Sequence, residues 1–146
     1  MSRIEPDRLE NDEQLWGDWQ AVCIKKLLEL DPGEFLILQL DDGQGVFIQF
    51  ARLPEAPHDV LLAELSTGDS ADRSTTESLL ELGWHPPGSY AVNPGPNLQS
   101  MWQSKDSRSW LSHDDAADAA SITASAMRFV LGVFDPFRVR VERDSF

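Results

Sequence analysis

The chain has 146 residues, 25 acidic against 12 basic, giving a net charge of −13, with 41% hydrophobic and 25% charged residues. That is the length and composition of one globular domain that can bury a core unaided, and its negative field repels nucleic-acid backbones and anionic lipid. Cys23 is the only cysteine, so a disulfide or Cys-based zinc site within the chain is excluded; with no apolar leader and no run approaching the ~18 residues of a membrane span, the cytoplasm is the default location.

From about Glu10 to Leu30, Trp16, Trp19, Cys23, Leu27 and Leu30 recur at spacings of three and four, one face of a helix. Acidic residues crowd its start and Lys25 and Lys26 sit late, both favourable against the helix dipole, and Asp31-Pro32-Gly33 stops it. Phe35 to Leu40 is apolar on nearly both faces and reads as a central strand covered on each side. Asp41-Asp42-Gly43 predicts a tight hairpin, Val46 to Phe50 the returning strand, Pro54 to Pro57 its break, and Val60 to Leu65 a third strand, making an antiparallel meander.

Ser74-Thr75-Thr76-Glu77 has the spacing of a capping box before a short helix carrying Leu79, Leu80 and Leu82, with Gly83 suited to its left-handed exit. Residues 84–97 hold Pro86, Pro87, Pro94, Gly95 and Pro96 and read as irregular, followed by a strand over Leu98 to Ser104. Ser112 is the expected N-cap of a long final helix whose stripe, Ala116, Ala119, Ile122, Ala126, Phe129, Val130 and Val133, is rich in small residues, with Asp135-Pro136 ending it. Residues 137–142 alternate cleanly and read as a short edge strand.

The expected architecture is α+β: an antiparallel sheet of four or five strands flanked by an N-terminal helix, a short middle helix and a long C-terminal helix. One domain spans residues 1–146, with 1–8 and 143–146 as loose termini.

Catalytic and metal chemistry find little purchase. His58, His85 and His113 lie in separate loop-like contexts without a neighbouring ligand at helical spacing, the pattern of surface histidines. Asp41-Asp42-Gly43 and Asp114-Asp115 lack the alternating oxygen ligands of a calcium loop, and no glycine-rich phosphate loop or nucleophile elbow is present. Glu64 alone is a candidate functional carboxylate, because it interrupts an apolar strand; such a residue more often points from an open face or pairs with an arginine such as Arg52. No catalytic residue, metal ligand or cofactor is therefore assigned.

Five tryptophans are a rich allotment. Trp16 and Trp19 fit helix–sheet contacts, while Trp84, Trp102 and Trp110 fall in or near irregular segments, where tryptophan either caps the core or anchors an interface.

Val46-Phe47-Ile48-Gln49-Phe50-Ala51, Leu62-Ala63-Glu64-Leu65-Ser66, Leu79-Leu80-Glu81-Leu82-Gly83-Trp84-His85-Pro86-Pro87, Pro96-Asn97 with Trp102, and the alanine-rich helix ending Val130-Leu131-Gly132-Val133-Phe134 stand in this order. The string resembles the actinobacterial branch of the type III secretion chaperone-like and YbjN-like superfamily, from the first helix to about Pro136, and Leu-Gly-Trp-x-Pro-Pro at 82–87 is its most specific part. The resemblance implies a helix–sheet–helix fold that often forms homodimers and holds an extended client segment on its helices and sheet without ATP. It points to Trp16, Trp19, Trp84, Pro86 and Pro87, with Trp102 and Trp110 added by their setting, as candidate partner-binding residues. The expected function is a non-enzymatic, chaperone-like protein-binding module; the alternative is an immunity or antitoxin-like protein that neutralises a toxin through its acidic face, and a small-ligand site at Glu64 and the Trp84–Trp102 region is a third.

Overall fold

The computed structural model describes residues 6–40, 45–54, 59–68, 72–90, 96–103 and 110–145, with side chains from Asn11 onward. Its first element, α1 (Pro6–Leu28), begins four residues before the apolar pattern does. Trp16, Trp19, Cys23, Leu27 and Leu30 are all buried, so the spacing located the inward face correctly. Trp16 and Trp19 meet edge to face with ring centroids 6.2 Å apart.

The strands β1 (Glu34–Gln39), β2 (Val46–Leu53), β3 (Val60–Thr67), β4 (Leu98–Gln103) and β5 (Arg140–Ser145) form one antiparallel sheet in the order β4-β3-β2-β1-β5. One face carries Leu36 and Leu38, Ile48 and Phe50, Leu61, Ala63 and Leu65, and Leu98, all in the main apolar core. The helices α1, α2 (Arg73–Glu81) and α3 (His113–Ser125) pack on that face, α2 giving Leu79 and α3 alanines 116, 119, 120 and 124 to the same core. This α+β arrangement matches the expected class.

The expectation of β1 as a central strand covered on both sides is corrected. Only Leu36 and Leu38 are buried; Phe35 and Ile37, on the face away from the helices, are half-buried. The strand buried on both faces is β3, with six consecutive buried residues. Beside it, the edge strand β4 is extended by a bridge: His85 N and O exchange hydrogen bonds with Gln99 at 2.8 and 3.0 Å, and Tyr90 N donates to Gln99 Oε1 at 3.3 Å.

The middle helix is capped differently from expectation. Asp72, not Ser74, is the N-cap: its Oδ1 accepts from Thr75 N at 2.7 Å, while Glu77 takes Arg73 Nε at 3.0 Å. A carboxylate two residues earlier takes the cap in place of the serine, whose carbonyl instead accepts from Ser78 Oγ. The exit agrees with the sequence: Gly83 has φ +113°, Trp84 N donates to Leu79 O and Gly83 N to Leu80 O, a Schellman closure.

Ser112 caps α3 by accepting from Asp115 N at 3.1 Å. The α-helix ends at Ser125, well before Asp135-Pro136, passes through a π-helical turn over Ala126–Val130, and leaves by Gly132 at φ +74°. Leu131 N accordingly bonds back to Ala126 O at 2.9 Å, five residues away. The wider turn rotates Phe129 off the stripe, leaving it 70% exposed, whereas Ala126 and Met127 stay buried. Trp110 Nε1 bonds to Leu28 O and Arg128 pairs with Glu13 at 3.0 Å, so α3 runs antiparallel to α1.

Asp135 caps a 3-10 turn, Pro136–Arg138, in place of the first residues of the expected 137–142 strand. β5 then pairs with β1 through Ser145, so residues 143–145, expected as loose, are held in the sheet. The expected hairpin turn at Asp41–Gly43, most of the Pro54–Pro57 break, and His58, Pro94, Gly95 and Ser104 lie outside the described residues.

Candidate functional site

Alternation along β5 places Val141 opposite Leu38 on the helix face of the sheet and Glu142 opposite Ile37 on the other face. Because β5 is an edge strand, Val141 has core neighbours on one side only. The residue beside the buried stripe of α1, Val22, overhangs it, and the 3-10 turn brings Phe137 to the same place. Val22, Phe137 and Val141 remain 41%, 51% and 42% exposed, and all three line one apolar crevice. Its floor is Trp19, Cys23, Leu36 and Leu38, with Pro136 and Val139 at one wall and Lys26 at the lip.

The crevice holds about 80 Å³. Small-molecule sites occupy ~300–1,000 Å³, so this opening suits a protruding apolar side chain of a partner and not a whole metabolite. Three apolar side chains about half in water thus surround a floor of core residues. Val139 also borders a neighbouring, wider cleft of about 580 Å³ whose wall is polar, with Asp135, Arg138, Arg140 and Glu142. There Arg140 Nη2 pairs with Glu142 Oε1 at 2.7 Å and Arg138 Nε with Asp135 Oδ2 at 3.6 Å.

The floor is chemically quiet. Burial pushes the Cys23 thiol up to about 12, against the opposing pull of Lys26, so thiolate chemistry is suppressed. The position of β5 is fixed by a charged clamp at its far end: Arg143 Nη2 and Nε donate to both carboxylate oxygens of Glu34 at 2.6 and 2.9 Å, and Nη2 reaches Glu29 O at 3.0 Å. Glu34 also accepts from Asp31 N at 2.6 Å. Led by the Arg143 bonds, these contacts hold the Glu34 carboxyl down at about 2.

The tryptophans expected as partner contacts do other work. Trp16, Trp19 and Trp84 are buried, so apart from the Trp19 edge at the crevice floor their rings belong to the core. Trp84 is 2% exposed and its Nε1 has no hydrogen-bond partner among the described residues. Trp102 Nε1 donates to Asp118 Oδ2 at 2.8 Å, joining β4 to α3. Trp110 lies under the Arg52 guanidinium, 4.6 Å from its centroid. Pro86 and Pro87 are exposed, but on the segment that bridges to the edge of β4, away from the crevice.

Glu64 faces away from the helices, between Gln49 and Gln99 on the neighbouring strands, and accepts from Asn97 Nδ2 at 3.2 Å. Its expected partner Arg52 is on the opposite face, where Nε donates to Asp59 Oδ2 at 2.8 Å and Nη1 to Leu30 O at 2.7 Å. Trp102 opposes Leu61 on that helix face, so the sheet itself separates Glu64 from the Trp84–Trp102 region and no shared ligand site forms there. Among the described residues no three His, Cys, Asp or Glu side chains converge as metal ligands, and no helix is long and apolar enough to cross a membrane.

The residues that do converge, Val22, Phe137 and Val141, were not singled out by the sequence. Alternation of Phe137, Val139 and Val141 carried a signal, since it marked one apolar side of an edge segment. What that side would face depended on α1, which is more than a hundred residues away in the chain.

A family model described as "T3SS (YopN, CesT) and YbjN peptide-binding chaperone 3" matches residues 10–145. Neither a curated protein nor a solved structure matches the chain.

Proposed function

The chain belongs to the family of type III secretion and YbjN peptide-binding chaperones, and from that premise we propose that it is a non-catalytic cytoplasmic module that holds an extended segment of a client protein by seating an apolar side chain in the crevice between α1 and β5. The supporting observation is the convergence of exposed Val22, Phe137 and Val141 on a floor too small for a metabolite. Those three side chains have their core-facing neighbours already; what they lack is an apolar lid, which a client side chain supplies. The candidate tryptophans enter this reading as scaffold: Trp19 forms part of the floor, and Trp16, Trp84, Trp102 and Trp110 hold the helices on the sheet.

Panning phage-displayed random peptides against the protein tests the assignment directly. Selected peptides are expected to carry a large apolar anchor and to lose about tenfold or more in affinity for Phe137→Ser or Val22→Asp, as truncated anchors do at interfaces. Peptides that bind these variants as tightly as the parent would overturn the crevice as the site. Toxin neutralisation through the acidic face makes the opposite prediction, since binding between exposed opposite charges weakens steeply with salt, whereas seating an apolar side chain does not.

A further inference from the structure

The crevice between α1 and β5 does not close at Val139. The same residue walls the wider cleft of about 580 Å³, which lies past the start of β5, where Arg140 stands opposite Gln39, and is bordered by Asp135 and Arg138 of the preceding turn. An extended chain advances ~3.3–3.6 Å per residue, so a segment with one side chain in the crevice brings a residue within about three positions of that anchor into the cleft.

The cleft holds two acids and two arginines, but their bonding is unequal. Asp135 is engaged through both oxygens: Oδ1 accepts from Phe137 N at 3.0 Å, and Oδ2 lies 3.6 Å from Arg138 Nε. Glu142 Oε1 pairs with Arg140 Nη2 at 2.7 Å. At 3.6 Å the Arg138 contact is too long for a hydrogen bond, and Arg140 meets its acid through one nitrogen only. A guanidinium carries a planar fork of N–H donors that fits a carboxylate with two parallel bonds, and these two side chains are 87% and 76% exposed. Among the described residues, the hydrogen-bonding capacity left over in the cleft therefore belongs to its donors. Lys26 at the lip of the crevice adds a third cation, so this stretch of surface carries three basic side chains against two acidic ones, on a chain of net charge −13. A local reversal of sign draws an anionic group here while the rest of the surface repels it.

We propose that the cleft selects the client by charge: Arg138 and Arg140 take the carboxylate of an aspartate or glutamate lying within about three residues of the apolar anchor. The inference rests on the peptide-holding reading of the crevice and adds a polar determinant to it. An exposed charge pair changes affinity by only a few fold, so the anchor remains the main source of binding.

The probes are the peptides recovered by phage panning, labelled with a fluorophore and titrated by anisotropy. Most are expected to carry an acidic residue within about three positions of the anchor. Replacing that residue by its amide should weaken binding to the parent roughly threefold or more, and should change nothing for the double variant Arg138→Gln, Arg140→Gln. Arg138→Glu with Arg140→Glu should reverse the preference, favouring the same peptide with lysine at that position. Both arginines are largely in water, so each variant is expected to keep the circular dichroism spectrum and melting temperature of the parent. Peptides that lose affinity for Val22→Asp, yet lack an acidic neighbour or respond to the amide equally with and without the arginines, would overturn the charge selection and leave the crevice standing. Peptides indifferent to Val22→Asp, or a library that yields no binder, would overturn the crevice and this inference with it.

Discussion

At the scale of single residues, two buried or clamped groups carry measurable consequences. The Trp84 indole donor is buried without an acceptor among the described residues, and an unsatisfied buried donor costs about 1–3 kcal/mol. Trp84→Phe, which keeps most of the ring and removes the donor, is therefore expected to leave the unfolding free energy equal to or above that of the parent in urea titrations. Trp84→Ala should instead lose about 3–5 kcal/mol, because it empties a core site. Glu34 makes a pH prediction. Its folded pKa of about 2 lies below the ordinary glutamate value, so its contribution is complete above that ordinary value and is lost as the pH falls toward 2. Thermal melts between about pH 5 and pH 3 should show a smaller drop in midpoint for Glu34→Gln than for the parent, since the glutamine cannot titrate; an equal drop would show that other carboxylates govern the window. Asp72 supplies a third test. Asp72→Ala should cost about 1 kcal/mol, the usual worth of a cap, and Ser74→Ala close to nothing, reversing the order that the Ser74–Glu77 spacing suggests.

Among the elements, the decisive contact is α1 against α3. Ala116, Ala119 and Ala120 are fully buried, and α1 and α3 are neighbours over much of their length. Methyl groups on a contact face let a helix approach its neighbour closely, so a longer side chain there must displace packed atoms. Ala119→Leu is expected to destabilise by about 1–3 kcal/mol through overpacking, read as a lower urea midpoint at unchanged slope. The same close approach explains why the small-residue stripe stops where it does. Beyond Ser125 the π-helical turn changes the residue-to-angle relation, so Phe129, which a 3.6-residue period puts inside, faces solvent. Periodicity is a statement about a regular helix, and it fails at the residue where the helix stops being regular.

For the whole molecule, the sheet is the organising fact. It puts Glu64 on one side and Trp102 on the other, which removes the one pairing of residues that suggested a small-ligand site. It also returns the chain's end, β5, to the side of β1, where an apolar edge residue meets the overhang of α1. The family match over residues 10–145 supports a chaperone-like protein-binding role, and the crevice is the site proposed for it. Substitutions at Val22 and Phe137 are expected to separate function from stability: both side chains are about half in water, so Val22→Asp and Phe137→Ser should leave the melting temperature within a few degrees of the parent while peptide binding falls, following the ordinary tolerance of surface positions.

Sequence by itself determined what depends on short-range geometry. The inward face of α1, the Schellman exit at Gly83, the Ser112 cap and the α+β class each follow from spacings of a few residues, where backbone hydrogen bonds and side-chain periodicity leave little choice. The family resemblance was legible for the same reason, in contiguous motifs such as 82–87. Tertiary structure alone decided what depends on which surface meets which: that β3 and not β1 is covered on both faces, that Arg52 and Glu64 lie on opposite sides of the sheet, and that Val22 and Val141 form one crevice. Those outcomes rest on packing between segments far apart in the chain, and a local pattern records that a side chain is apolar without recording what it will be pressed against.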